Sequence, residues 1–397
     1  MKILFVTYDL PYPLDSGGKV RAYNLIKELA KEHKVTLFSY YRDNSQLNYV
    51  DKLRKYCVNV HLFMRTELFS LKHIANTMFH PNLTAHISHY YHKDLQQELK
   101  KELKNGAYDL LHLESFYTSY LLGEYGITQV LGTENIEWQV YQQHAETKPK
   151  FIQLPLSLEA MRTRLFERST WKKADSILAV SPSDTKEIKA HTAKPVYEIP
   201  NGVDLDYFKF NIPKMAKQKN LEHIRFLYVG DYSYIQNKDT VAYLLKDIYP
   251  VLKEKYPKST LTIVGKNISR KLDRKLIPGA KIRRSIEDIR VAYSNADILL
   301  APLRIGSGTQ FKLLEAMAMG VIVATTAVGS EGLNARNGRE LVVFKGRKDV
   351  VEVISSIVTD SKRAGEIAKQ AREFIEKEYS WNVIGTKLRS IYSQLTK

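Results

Sequence analysis

A chain of 397 residues, 44% of them hydrophobic and 26% charged, has material for two globular cores and is too apolar for disorder to dominate. Its one cysteine, Cys57, excludes an internal disulfide and any multi-cysteine metal site; it fits a reducing cytoplasm and reads as a packing residue. The net charge of +17 is uneven: residues 1–200 hold 26 Lys and Arg against 22 Asp and Glu, and residues 201–397 hold 34 against 21. Such an excess can be a solvated surface, or it can attract anionic lipid, nucleic acid or phosphorylated small molecules. The chain shows no zinc-ligand spacing, RRM signature or basic heptad region, so no nucleic-acid partner is expected.

The first apolar run ends at Asp9 with no small-residue cleavage site after it, and Ile3–Tyr8 reads as a buried strand rather than a leader. A loop with Pro11, Pro13, Gly17 and Gly18 follows. Ala22, Leu25, Ile26, Leu29 and Ala30 then fall at helical spacing within Val20–Lys31. Lys34–Tyr40, Tyr108–Leu113, Thr128–Leu131 and Ser176–Val180 are the next strands, and Ser181-Pro-Ser-Asp opens a helix. Pro200 and Gly202 punctuate a turn, and the lysine-rich stretch Asn211–Asn220 reads as an interdomain linker. The pattern then restarts. Arg225–Val229 and Leu261–Val264 run into Gly230 and Gly265. Lys281–Arg284, Ile298–Ala301 and Val321–Thr325 follow, with helices over Asp239–Tyr256 and Thr309–Met319.

Strands alternating with helices predict an α/β chain of two tandem doubly wound Rossmann-like domains facing a cleft. The expected boundaries are 1–200, a linker over 201–222, a second domain over 223–378 and a C-terminal segment over 379–397. No apolar run approaches the roughly 18 residues of a membrane span, so any membrane contact is expected to be peripheral.

The most specific segment is Ala301-Pro-Leu-Arg-Ile-Gly-Ser-Gly-Thr-Gln-Phe-Lys-Leu-Leu-Glu-Ala-Met-Ala-Met-Gly, a strand, a glycine loop and a helix. Gly306 and Gly308, with Ser307 between them, let backbone N–H groups approach a ligand, and the helix that follows favours an anion. Thr309 adds a hydroxyl and Lys312 a charge, so a diphosphate is the expected guest. Glu315, three residues after Lys312, can accept hydrogen bonds from adjacent sugar hydroxyls; the bland alternative is an internal Lys312–Glu315 ion pair. Gly17 and Gly18 form a matching loop after the first strand, which an ordinary tight turn explains equally well. Neither loop fits G-x-G-x-x-G or a Walker motif, which disfavours a dinucleotide or ATP site.

With Ile199-Pro-Asn-Gly-Val-Asp, Tyr228-Val-Gly-Asp, Thr262-Ile-Val-Gly, Asp297–Pro302 and above all Gly308-Thr-Gln-Phe-Lys-Leu-Leu-Glu-Ala-Met-Ala, the chain resembles the bacterial retaining glycosyltransferases of family 4. The resemblance covers nearly the whole length, is strong over 199–335 and weak over about 42–107. It implies the GT-B fold and a sugar transfer with retention and without metal or other cofactor. The substrate would be a UDP- or GDP-sugar, and the acceptor a glycan or lipid-linked hydroxyl. It implies that Glu315 binds the donor ribose, that Thr309 and Lys312 contact the diphosphate, and that Gly17 and Gly18 lie near the donor phosphates and sugar. It also implies that Ser380-Trp opens a C-terminal helix packing on the first domain.

Two departures stand out. A second glutamate of many relatives is replaced by Ser307, and a sugar-touching histidine is missing near Glu134. Glu134 and Asn135 are therefore the catalytic candidates, binding sugar hydroxyls or deprotonating the acceptor, unless Asn135 merely caps a helix. His112 and Glu114 are weaker candidates expected at the cleft, and Lys238 is an expected donor contact, or an exposed lysine at a helix start. His86, His89 and His92 could share a helix face, yet a metal is not expected there. Leu62–Tyr91 mixes apolar and basic residues and could meet a lipid-linked acceptor or pack on the sheet. Cytoplasmic location, with contact at the inner membrane face, follows as an expectation. A non-catalytic nucleotide-sugar-binding protein, an inverting transferase and an epimerase on the same fold stay open.

Overall fold

The computed structural model describes residues 1–65, 83–211, 223–284, 286–306 and 308–396. The chain divides into two compact units, 1–200 with 381–397, and 201–380. Most of the expected 211–220 linker, and Ser307, lie outside the described residues.

The first unit is built on a seven-stranded, all-parallel sheet. Its strands are β1 (Lys2–Thr7), β2 (Lys34–Tyr41), β3 (Cys57–Met64), β4 (Leu110–Glu114), β5 (Thr128–Gly132), β6 (Ser176–Ala179) and β7 (Val196–Glu198), in the order β3-β2-β1-β4-β5-β6-β7. β1, β4 and β6 are short, mostly apolar and, after the exposed Lys2, buried on both faces, as a helix-covered parallel sheet requires; β4 also buries His112 and Glu114. Their core includes Leu4, Val6, Leu111, Leu113, Leu131, Trp171 and Ile177. β3 was not expected from the sequence. It is the edge strand, with Val58 and Met64 exposed, and it lacks the continuous apolar run of its neighbours. The order reverses between β1 and β4, where an open α/β sheet leaves a crevice at the strands' carboxyl ends.

Four helices of this unit matter below: α1 (Gly17–Leu29), α2 (Glu137–Glu146), α3 (Lys150–Lys173) and α4 (Pro182–Lys189). α4 begins as the sequence implies, with the Ser181 hydroxyl accepting from the Asp184 amide. The helix Trp381–Leu395 completes the unit by lying on α1. Arg389 donates to the Glu28 carbonyl at 3.0 Å and to its carboxylate at 3.1 Å, and pairs with Glu32 at 2.8 Å. The close approach needs Gly385, because a side chain there would overlap the Glu28 carboxylate.

The second unit carries β8 (Arg225–Val229), β9 (Thr260–Val264), β10 (Ala280–Arg283), β11 (Ile298–Ala301), β12 (Ile322–Thr325) and β13 (Val342–Val343), all parallel, in the order β10-β9-β8-β11-β12-β13. This is the Rossmann plan, reversing between β8 and β11. The helix expected over 239–256 is three joined pieces, Ile235–Tyr243, a π turn over Leu244–Ile248 and Tyr249–Lys255. We label Ile235–Tyr243 α5 and the helix after β11, Phe311–Ala318, α6.

Candidate functional site

In the second unit, polar side chains gather where the sheet order reverses. β8 ends at Val229, Gly230 follows it, and the chain turns into α5. A side chain on Gly230 would stand 2.7 Å from the Asn237 amide carbon, and one on Gly265 would overlap the Gly230 carbonyl. The two bare positions let α5 come close and bury Asn237. Asn237 Nδ2 donates to the Asp231 carbonyl at 2.8 Å, which fixes the amide. Its Oδ1 accepts from Tyr228 Oη at 2.8 Å and from Lys312 Nζ at 2.6 Å. Lys312 Nζ also donates to Tyr228 Oη at 3.1 Å and lies 4.7 Å from that ring's centroid.

The ammonium of Lys312 is therefore buried among neutral acceptors. Burial pulls it down to about 7, against the opposing charge of Glu315. One turn along α6, Glu315 Oε2 accepts from Tyr293 Oη at 2.7 Å. Burial pushes this carboxyl up to about 7, with the Tyr293 hydrogen bond and Lys312 opposing. The expected alternative of a simple Lys312–Glu315 ion pair is not what the fold builds: each side chain has its own neutral partner.

The loop ahead of α6 uses positive φ at Gly306 (137°) and Gly308 (72°), and the Gly308 carbonyl approaches Gly332 so closely that a side chain on Gly332 would overlap it. Thr309 is buried, its carbonyl accepting from Asn201 Nδ2 at 2.9 Å. Lys238 is exposed on α5 and makes none of these contacts. Its neighbour Asn237 does. The sequence marked the glycine turn after Tyr228 but carried no sign that the amide nine residues after Tyr228 would hold the lysine.

In the first unit, Gly17 and Gly18 are not in a loop as expected but form the first turn of α1, and that turn brings Gly18 against Glu134, which follows β5. A side chain on Gly18 would overlap the Tyr8 hydroxyl and lie 2.8 Å from Glu134 Oε1. Tyr8 Oη donates to Glu134 Oε2 at 3.1 Å. Tyr8 packs on Tyr90 and Tyr117, and the Tyr117 hydroxyl reaches Glu137 Oε2 at 3.4 Å and Tyr141 at 3.3 Å. Burial pushes Glu134 up to about 8, with the charge of Glu114 adding and Arg21 opposing. Burial pushes Glu137 up to about 7 against hydrogen bonds from Tyr117 and Asn135. Burial thus holds both carboxyls above the ordinary carboxylate range.

Asn135 is not the cap of α2. That helix starts at Glu137 after Ile136, and its first amides, Glu137 N and Trp138 N, donate to the Glu167 carboxylate of α3 at 3.1 and 3.2 Å. Asn135 instead bonds Glu137. His112 and Glu114, expected at a cleft, are fully buried inside the unit. Arg21 Nε donates to Glu114 Oε1 at 2.6 Å and the Arg21 guanidinium to the Ile199 carbonyl at 2.9 Å. His112 bridges Glu114 Oε2, at 2.5 Å, and the Tyr392 hydroxyl of the C-terminal helix. Burial alone would raise Glu114, but Arg21 and His112 outweigh it and hold the carboxyl at about 2. This is a structural network, stabilising the unit from within.

The three histidines have separate tasks. His86 stacks on Tyr141 at 4.0 Å, His89 meets the edge of Tyr90, and His92 Nδ1 accepts the Leu95 amide at 3.3 Å. Among the described residues no group of His, Cys, Asp or Glu could hold a metal ion, and no helix is long and apolar enough to cross a membrane. Most of the apolar and basic segment expected over Leu62–Tyr91 lies outside the described residues, Ser307 likewise.

The raised carboxyls predict a pH effect. Burial lifts Glu134, Glu137 and Asp184 to about 8, 7 and 7, above ordinary values of 4.5, 4.5 and 3.8. Between those limits the folded state holds more protons than the unfolded one. The stabilisation is complete below the ordinary values and is lost as pH rises through the raised ones. The thermal midpoint should fall from about pH 5 to about pH 8.5, and Glu137→Gln should fall less steeply than wild type. Parallel melting curves for the two proteins would contradict the raised Glu137.

Two family models match the chain. One described as Glycosyltransferase Family 4 covers residues 16–207, and one described as Glycosyl transferases group 1 covers residues 207–360. An uncharacterized 44.6 kDa protein in the cps region of Klebsiella pneumoniae is 25% identical over 95% of this chain and 96% of its own length. Among solved structures, sucrose-phosphate synthase from Thermosynechococcus elongatus superposes with a TM-score of 0.72 at 16% identity, over 100% of this chain and 99% of that one. Anabaena HepE in complex with UDP-glucose gives 0.66 at 14%, over 99% and 100%.

Proposed function

We infer, from a chain that belongs to the GT-B glycosyltransferases of family 4 and group 1, that this enzyme takes its sugar from a nucleotide diphosphate donor bound on the second unit. The observation that carries the reading is the pair Lys312 and Glu315 on one turn of α6, at the carboxyl ends of the strands where the sheet order reverses. The buried ammonium is costly as it stands. A diphosphate brought beside it would supply the missing counter-charge, and Glu315 would accept two adjacent ribose hydroxyls. Gly306, Ser307, Gly308 and Thr309 would lend the phosphates backbone and hydroxyl donors.

We further propose that transfer proceeds with retention, the developing charge on the leaving diphosphate being met by Lys312 and the start of α6 rather than by a metal ion. The acceptor would be a hydroxyl of a glycan or lipid-linked glycan, presented by the first unit. Glu134, near neutrality beside Gly18 and Tyr8, would bind the transferred sugar or take the acceptor's proton, and Asn135 would act by holding Glu137. HepE was solved with UDP-glucose, which makes a UDP-sugar the first donor to test.

A thermal-shift and calorimetry screen of UDP-, GDP- and ADP-sugars tests donor binding; silence from all of them would end the reading. NMR of the product's anomeric proton tests retention, and an inverted product would refute it. Asn237→Ala should weaken affinity for the donor found by about tenfold, because the ammonium loses its fixing hydrogen bond. Calorimetry showing unchanged affinity would remove Asn237 from the site.

A further inference from the structure

We propose that the outward face of α3 docks the protein on an anionic lipid surface. α3 presents Phe151, Leu154, Leu158, Met161 and Leu165 to solvent, each between 55 and 79% exposed. Their spacing of three and four residues lays them along one stripe, about 21 Å from first to last at the helical rise. Ile152 widens it at 39% exposure. Five large apolar side chains in one line differ from the singly scattered kind that any surface carries.

The helix cannot roll to hide the stripe. Ala160, Thr163, Glu167, Thr170 and Trp171 bury its opposite face, and the Glu167 carboxylate is bound to the first amides of α2. The apolar line is therefore a fixed feature of the first unit, on an element separate from the residues assigned to sugar transfer.

Charge selects the occupant. From Lys148 to Lys173 the chain has seven Lys and Arg against two Glu. Glu167 is buried, and Glu159 is held by Arg162 at 3.1 Å and by the Ala85 amide at 2.9 Å. Lys150, Arg162, Arg164, Lys172 and Lys173 are exposed around the stripe. A second copy of the chain, paired about the middle of the stripe, would set Lys150 of each against the arginines of the other, so like charges oppose that dimer. A bilayer with anionic headgroups answers both halves of the surface. The apolar residues enter the boundary between headgroups and acyl chains, and the basic rim meets phosphates.

The test is flotation of the full-length protein with vesicles of phosphatidylcholine, alone or mixed with phosphatidylglycerol. The expected result is binding to the mixed vesicles only, weakened by salt. Replacing Leu154, Leu158 and Met161 together by Ser should lower that binding by about tenfold or more while the thermal midpoint stays at the wild-type value. An environment-sensitive dye on Leu158→Cys should shift to the blue on the mixed vesicles; the native Cys57 is buried and does not compete for label. Three outcomes would overturn the proposal: no binding to mixed vesicles, equal binding to neutral ones, or a wild-type dimer in sedimentation that the triple variant dissolves. Donor binding on the second unit is a separate readout, so failure here leaves the sugar-transfer reading standing.

Discussion

Lys312→Ala is expected to lower sugar transfer by about 10²–10³-fold, the loss seen when one fixed donor to a developing anion is removed. Its partners in the free protein are neutral, Asn237 Oδ1 at 2.6 Å and Tyr228 Oη at 3.1 Å. Burial has brought its folded value to about 7 from the ordinary 10.5. The cost of the buried charge is thus full below about pH 7 and is relieved above it, and stability gains from this group between those two values. A bound diphosphate favours the charged form. Donor binding above about pH 7 should therefore take up a proton, and affinity should fall as pH rises. Calorimetry in buffers of different ionisation enthalpy measures that uptake directly. It should vanish in Lys312→Ala. If uptake persists in the variant, the diphosphate charge is met elsewhere.

Gly18→Ala is expected to cut turnover by about 10²-fold while donor affinity stays close to wild type. The added carbon overlaps the Tyr8 hydroxyl and stands 2.8 Å from Glu134, so both must shift. Tyr8 has little room to yield, being wedged against Tyr90 and Tyr117. A displacement of the order of 1 Å at a carboxyl proposed to handle a proton or a sugar hydroxyl is costly to rate, and it does not alter the residues proposed to hold the nucleotide on the second unit. Steady-state kinetics beside calorimetry separates the two. An equal loss of donor affinity would move Gly18 to the donor side, and an unchanged rate would remove Glu134 from the chemistry.

The sequence reveals the sheets because buried parallel strands are continuous apolar runs: Ile298–Ala301 and Ile322–Thr325 are buried throughout and read without ambiguity. The edge strand Cys57–Met64 escapes that signal because half of it faces water, and Val342–Val343 is too short to carry one. Lys312 and Glu315 are legible because helical spacing alone sets them on one turn. Asn237 is not. Its place depends on two glycines, each just past the end of a different strand, having no side chains, which is a property of the folded neighbourhood. Asn135 misleads for a related reason. Asn before a helix is a common cap, but here the carboxylate that caps α2 comes from Glu167, thirty residues further along. His112 and Glu114 stand at the end of a strand, as site residues often do, and the pattern cannot show that Arg21 and Tyr392 enclose them.

The membership of the helix Trp381–Leu395 in the first unit has a bearing on biosynthesis. The second unit is a single unbroken stretch, 201–380, whereas the first is assembled from 1–200 and 381–397. During synthesis the first two hundred residues emerge early, yet Glu28 still lacks Arg389 and His112 still lacks the Tyr392 hydroxyl. Until that helix arrives α1 keeps an uncovered face, and transiently exposed surface of this kind favours aggregation. The later-made unit can close on itself first, and the earlier-made one reaches its final form only when the ribosome has delivered the helix that belongs to it.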